Sequence, residues 1–242
     1  MSKWVVANIK MNKTDTEVKE YAIKIKKFLK KCDLNIAVCP SFVSVPTAVS
    51  ILKKSKILVG SQNIAAEEQG AYTGEVSAKM LSDIGAQVAI IGHSERRRYY
   101  GETDEVVNKK ILMAQSQNIL PVVCLVYDGG EGYQTDLERQ LEIVLKGVDT
   151  SKKIIFALEP VWAIGTGKVM ANEDIEPAIE ITKTYAKHLL GKEPEVLYGG
   201  SVNLISVVPM LEMKNCDGFL VGTACKDAFE FSKLCEITAN KD

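Results

Sequence analysis

The 242-residue chain is poor in histidine and tryptophan, with two of each. Its six cysteines (Cys32, Cys39, Cys124, Cys216, Cys225 and Cys235) are scattered, and no Cys-x-x-Cys pair occurs. Without paired thiols or clustered imidazoles the usual zinc-binding patterns are missing, so no metal is expected. Single cysteines inside apolar runs, such as Cys124, read as small core residues. Charge of one sign is lacking too: 30 basic and 31 acidic residues leave a net charge of −1. Such a chain has no global field favouring nucleic acid or a membrane, although a local patch can still attract an anion. No apolar run approaches the length of a transmembrane helix, and Met1 to Asn8 has no signal-peptide core. A reducing cytoplasm is the expected compartment.

Linkers and low-complexity tracts are also absent, which favours one domain over residues 1–242. What is present is a rhythm of short, β-branched apolar runs. They fall at Trp4–Ile9, Asn35–Cys39, Ile57–Gly60, Val88–Ile91, Leu120–Val126, Ile154–Leu158, Glu195–Tyr198 and Gly218–Val221. They lack polar alternation, as strands buried on both faces do. Charged segments with helical spacing follow most of them. In Thr16–Lys30 the apolar positions Val18, Tyr21, Ala22, Ile25, Phe28 and Leu29 share one helix face. Asp104–Gln117, Leu137–Leu145 and Ile175–Leu189 repeat the pattern, with Asp15, Asp104 and Asn172 placed as N-caps. Eight strand-plus-helix units predict a closed (β/α)8 barrel. An open doubly wound sheet is the runner-up, weakened because no Gly-x-Gly-x-x-Gly follows the first strand.

In such barrels function gathers where strands end. The first strand ends in Asn8-Ile9-Lys10, and Lys10 reads either as a lysine reaching for solvent or as a positive charge at the barrel mouth beside the Asn8 amide. The fourth leads into Gly92-His93-Ser94-Glu95-Arg96-Arg97-Arg98. His93 there is a hydrogen-bonded structural residue or, kept neutral by the following helix N-terminus, a donor to a developing oxyanion. Glu95 and the arginines equally suit a structural ion-pair cluster. The sixth strand delivers Glu159, a poorly solvated carboxylate suited to general-base work. After it comes Pro160-Val161-Trp162-Ala163-Ile164-Gly165-Thr166-Gly167-Lys168, with a stiff start, an apolar underside and central glycines. This describes a water-excluding lid or a plain surface loop anchored by Trp162. Glycines after the seventh and eighth strands (Gly199, Gly200 and Gly222) form tight turns or let backbone N–H groups approach a phosphate.

Taken together, these segments resemble the triosephosphate isomerases. The resemblance runs through Asn8-Ile9-Lys10-Met11-Asn12, Gln62-Asn63, Gly70-Ala71-Tyr72-Thr73-Gly74-Glu75, Gly92 to Arg97, the Glu159 to Lys168 segment, Tyr198 to Val202, and Asp217 to Gly222. It implies a TIM barrel that interconverts dihydroxyacetone phosphate and D-glyceraldehyde 3-phosphate through an enediolate. By the same resemblance Glu159 moves the proton, His93 polarises the oxygens, and Lys10 with Asn8 stabilises negative charge. Glu95 supports that region. Gly165, Ser201, Gly222 and Thr223 bind the phosphate, and Ile164 and Leu220 press on Glu159 when the lid shuts. No cofactor is implied, and the loop around Thr73 is expected to build a homodimer by entering a second subunit beside Lys10.

Three positions depart from the family pattern. Tyr127 stands where the family has a glutamate that holds the lid tryptophan in the open state. Thr223 replaces the second glycine after the eighth strand, which preserves a backbone donor only if its angles are allowed. Val169-Met170 alters the lid's end. Two other readings are a sugar-phosphate epimerase or isomerase of another kind, and a barrel homologue that binds without catalysis.

Overall fold

In the computed structural model, residues 3–161 and 171–240 are described. Strand β1 (Trp4–Asn8) lies between β2 (Asn35–Cys39) and β8 (Gly218–Val221), parallel to both. The intervening strands are β3 (Ile57–Ser61), β4 (Val88–Ile91), β5 (Leu120–Tyr127), β6 (Ile155–Pro160) and β7 (Glu195–Tyr198). Each pairs with the next in sequence order, so the eight close into a barrel. The strands expected from the apolar runs are all present. The main difference lies in β6, which runs two residues further, so Glu159 sits inside the strand.

The helices are α1 (Asp15–Phe28), α2 (Val45–Leu52), α3 (Ala78–Asp83), α4 (Ser94–Tyr100), α5 (Asp104–Ser116), α6 (Tyr133–Val144), α7 (Asn172–Leu190), α8 (Val207–Met210) and α9 (Ala228–Ala239). Two single 3-10 turns, Phe42–Ser44 and Thr223–Cys225, follow the β2 and β8 ends. The expected N-caps need correction by one residue. Thr14 and Thr103 cap α1 and α5, their hydroxyls accepting from the Glu17 and Val106 N–H groups, and Asp15 and Asp104 are the first helical residues. A threonine oxygen reaches those amides from an extended backbone. At Thr14 the Glu17 carboxylate reciprocates, completing a capping box. Asn172 likewise opens α7, with Ala171 at the cap position and no side-chain cap.

Pleat parity divides the core into two layers. Trp4, Val6, Ala37, Cys39, Val88, Ile90, Val122, Cys124, Ile155, Ala157, Leu197 and Leu220 fill the barrel's inside. The alternate set, including Val5, Ala7, Ile36, Val38, Val123, Phe156 and Phe219, packs under the helices. Inward positions step by two, so the next inward residues toward the carboxyl ends are Asn8 on β1 and Glu159 on β6. The amino end of the barrel is plugged. Trp4 Nε1 donates to Glu195 Oε2 at 3.1 Å, and Lys153 Nζ lies 2.5 Å from that oxygen and 4.9 Å from the indole centroid. All six cysteines are free, and five are buried. Burial pushes the Cys124 and Cys235 thiols well up, which marks them as core residues rather than nucleophiles.

Gly218 opens β8 at φ 144°, where a Cβ would overlap the Trp4 carbonyl oxygen. Gly218→Ala combines backbone strain with overpacking at the closing seam of the barrel. Stability should fall by about 2–5 kcal/mol, read from the midpoint of denaturant unfolding. An unchanged midpoint would show that the seam tolerates the side chain.

Candidate active site

The inward stepping of β1 and β6 brings Asn8 and Glu159 to one cavity of about 420 Å³ at the carboxyl end of the barrel. Lys10, His93, Gly199, Gly200, Ser201, Leu220, Gly222 and Thr223 join them in its wall. Lys10 is reached by a strained turn. Its φ of 55° lies in the left-handed region, which costs a non-glycine residue about 1–3 kcal/mol. Three hydrogen bonds hold it there. Lys10 N donates to Asn8 Oδ1 at 3.0 Å, Gln62 Nε2 donates to Lys10 O at 2.9 Å, and Lys10 Nζ donates to Glu95 Oε1 at 2.6 Å. Gln62 Nε2 also reaches Cys39 O at 2.9 Å, tying this turn to the end of β2.

His93 caps α4. Its Nδ1 accepts the Glu95 N–H at 3.1 Å, so Nδ1 is the unprotonated nitrogen and the proton of the neutral ring sits on Nε2. Nε2 faces Glu159 Oε1 at 3.0 Å, without the alignment of a hydrogen bond. The Glu159 side chain is fully buried. Its Oε2 accepts the Ser94 N–H at 2.7 Å, the first amide of the same helix, while Oε1 has no donor among the described residues. A buried carboxylate with one satisfied and one open oxygen is held in place at one end and has the free acceptor that general-base work requires at the other. The Glu95 carboxylate serves Lys10, its Oε2 lying 3.8 Å from His93 Nδ1, and only the Glu95 backbone N–H bonds His93.

The ion-pair cluster expected of the arginines after Glu95, of Arg97 and Arg98 above all, forms in part: Arg96 and Arg97 join it, whereas Arg98 lies over the Tyr99 ring at 5.2 Å and Glu95 pairs with Lys10. Arg97 Nη1 pairs with Asp104 Oδ1 at 2.6 Å and its Nε donates to Gly92 O at 2.9 Å. Arg96 and the buried Lys110 both pair with Glu102, and Lys110 Nζ donates to Asn63 Oδ1 at 2.6 Å. Burial lowers the Lys110 pKa, opposed by the Glu102 carboxylate. This cluster fixes α4, and with it the amides that hold His93 and Glu159.

Across the cavity, Thr223 opens the 3-10 turn after β8. It is not among the non-glycine residues with positive φ, so its backbone is unstrained and the condition for a usable N–H is met. The leading N–H groups of such a turn have no intrahelical partner and favour an anion. Among the described residues, no three His, Cys, Asp or Glu side chains gather in metal-holding geometry. Pro160 and Val161 lie within the described residues. The predicted lid residues Trp162, Ala163, Ile164, Gly165, Thr166, Gly167 and Lys168 lie outside them, as does Val169-Met170. Tyr127 ends β5 with its ring 5.9 Å from that of Tyr133, and its carbonyl accepts the Val161 N–H at 3.1 Å.

A family model described as triosephosphate isomerase matches residues 3–238. The chain belongs to the triosephosphate isomerase family. It is 40% identical to the triosephosphate isomerase of Clostridium botulinum (strain Loch Maree / Type A3), over 95% of this chain and 97% of that protein. Acetivibrio thermocellus has a triosephosphate isomerase 40% identical over 98% of this chain and 99% of its own length. That of Thermus thermophilus is 39% identical, over 96% and 97%.

Sequence reasoning about this family member missed three groups in or around the cavity. Ser94 acts through its backbone N–H, which leaves no mark in the side-chain pattern. Gln62 was visible only as part of a motif, without its task of holding the Lys10 turn. Glu230 also lines the cavity, one turn into α9. Its signal was the Asp227-x-x-Glu230 spacing of a helix start.

Gly200 is a sensitive point in the wall. A Cβ there would overlap the ring and hydroxyl of Tyr198, which is fully buried and cannot retreat. Gly200→Ala should displace the turn at residues 199–203 and weaken binding of inorganic phosphate by about tenfold or more. Calorimetric titration checks this, and unchanged affinity would count against the turn as part of an anion site.

Proposed function

We propose that the chain interconverts dihydroxyacetone phosphate and D-glyceraldehyde 3-phosphate, with Glu159, His93 and Lys10 as the groups that carry the chemistry. The observation that supports this most directly is the meeting of Glu159 Oε1 and the neutral His93 Nε2 at 3.0 Å in one cavity. A base without a donor and an uncharged donor beside it suit a substrate carrying an acidic C–H next to a carbonyl. Glu159 takes the proton from C1 of the ketose, and His93 Nε2–H supports the charge that builds on the carbonyl oxygen. The Lys10 ammonium, turned into the cavity by its left-handed backbone, stabilises the same enediolate. Glu159 then returns the proton to C2, while a proton exchanged through His93 leaves one oxygen as hydroxyl and the other as carbonyl. Ser201, Gly222 and Thr223 receive the phosphate, with Gly165 as a further donor.

The active unit in this reading is a homodimer. Residues 68–75 are exposed and carry Tyr72 and Thr73. A second cavity of about 270 Å³ opens beside Lys10, lined by Met11, Phe42, Gln62, Glu95 and Tyr100. Met11 is 97% and Val43 78% exposed, apolar surface that a lone chain leaves in water. The loop of a second copy would cover it and brace the Lys10 turn. Among the described residues no helix is long and apolar enough to cross a membrane. Together with six unbridged cysteines this supports the cytoplasm as the compartment.

Two measurements test the reading. Purified protein in a coupled assay should turn over glyceraldehyde 3-phosphate, and Glu159→Asp should keep phosphate binding while lowering turnover by about a hundredfold, since it withdraws the carboxylate by about an ångström. Phosphate binding without turnover in the unaltered protein would sink the catalytic claim. Sedimentation should give a dimer, and Tyr72→Asp should produce a monomer of much reduced turnover. A monomer with full activity would remove the second subunit from the site.

A further inference from the structure

The cavity wall contains a charge that the proposed chemistry does not use. Glu230 lines it together with Gly222, Thr223 and Ala224, the residues at the anion-receiving end. It is the third residue of α9, whose N-cap Asp227 accepts the Phe229 and Glu230 N–H groups at 2.9 Å each. In many helix starts a glutamate at this position turns back to the cap's own N–H. Here that reciprocal bond is not made. Among the described residues the Glu230 carboxylate has neither a hydrogen bond nor an ion pair, and the residue is half-buried. The cations nearby are otherwise disposed. Lys10 is paired with Glu95, Lys13 lies 5.3 Å from the Tyr21 ring centroid, and Lys226 is exposed. An uncompensated carboxylate thus stands at the end of the cavity where the Gly222-Thr223 turn favours an anion, across from Glu159.

We propose that Glu230 is a specificity-determining residue that weakens the hold of this cavity on phosphate dianions. The inference rests on the reading that the turns after β7 and β8 receive the phosphate. Two negative groups facing one small cavity repel through a partly desolvated medium, where Coulomb forces are larger than in bulk water. The repulsion acts on any dianion seated in the cavity, inorganic phosphate or a phosphate ester, whatever carbon skeleton it carries. It therefore raises the dissociation constants of substrate, product and free inorganic phosphate together. Its benefit is faster release of product and less inhibition by phosphate present in the surroundings. Because the interaction passes through the cavity mouth, added salt should screen it.

The test uses Glu230→Gln, which removes the charge and keeps a residue suited to the first turn of a helix. The competitive inhibition constant of inorganic phosphate is measured at low and at about 1 M ionic strength. At low salt Glu230→Gln should bind phosphate about three- to tenfold more tightly than the unaltered protein, with KM for glyceraldehyde 3-phosphate falling in parallel. The gain should shrink at high salt. Glu230→Asp should stay nearer the unaltered constant. The kcat/KM for unphosphorylated glyceraldehyde should not follow the change, since that substrate carries no dianion. If the unaltered protein is not inhibited competitively by phosphate, the phosphate-site reading itself fails. If it is inhibited but Glu230→Gln gives an equal or weaker constant, or if glyceraldehyde turnover rises equally, the proposal for Glu230 is overturned.

Discussion

Glu159 has no exposed surface, and its Oε2 is held at 2.7 Å by the Ser94 N–H of a helix that begins after a different strand. A buried carboxylate is costly unless a donor meets it, and one donor at a helix N-terminus is a strong one. Much of the site follows from that contact. It requires α4 to start where it does, which places His93 at the cap position. The cap bond to the Glu95 N–H then fixes the imidazole tautomer, and the side chain of Glu95 fixes Lys10. The three groups proposed to act on the substrate are therefore coupled through the first residues of one seven-residue helix. The buried ion pairs behind that helix are explained by the same need. Arg96 and Lys110 converge on Glu102, and Arg97 on Asp104, so α4 is held from the side that does not face the cavity.

The barrel supplies the geometry this coupling assumes. Parallel strands in sequential order leave no edge, and every second residue of each strand points inward. Apolar residues fill the middle layers, and toward the carboxyl ends the inward series becomes polar at Asn8 and Glu159. The charges that face a ligand lie at the end it can enter, while Trp4 and the Glu195–Lys153 ion pair seal the other. The active site is in this sense the last layer of the core, with side chains chosen for chemistry rather than for packing.

The strands were legible because burial on both faces demands continuous apolar runs, and Val88–Ile91 or Glu195–Tyr198 has no other reading at that length. The amphipathic helices were legible for the same reason. Caps were displaced by one residue because Thr-Asp offers two plausible oxygens, and only backbone conformation decides that Thr14 and Thr103 are extended while Asp15 and Asp104 are helical. Within the site, Asn8, Lys10, His93 and Glu159 stood out as polar residues at strand ends. The Ser94 amide and the two acceptors of Gln62 did not, because a backbone donor has no residue type and a glutamine's partners lie on segments distant in sequence. Glu230 was hidden by its local role, since the first turn of a helix is an ordinary place for an acid.

Tyr127 shows how a departure from the family pattern can leave the framework intact. β5 and β6 share register from Val122↔Ile155 through Tyr127↔Pro160, so the two strands remain paired up to the residue before Val161. The Val161 N–H then donates to the Tyr127 carbonyl. This contact uses only the backbone of residue 127, and any side chain there preserves it. What changes is the surface beside that point. A carboxylate would present an acceptor to water, whereas the Tyr127 ring is buried against Tyr133 and burial pushes its hydroxyl pKa up. The chain thus keeps the fixed end from which residue 161 departs and replaces an ionic side chain beside it with an aromatic pair. The contact that holds Val161 beside β5 is indifferent to the side chain at 127, so the Tyr127 side chain acts through its packing against Tyr133.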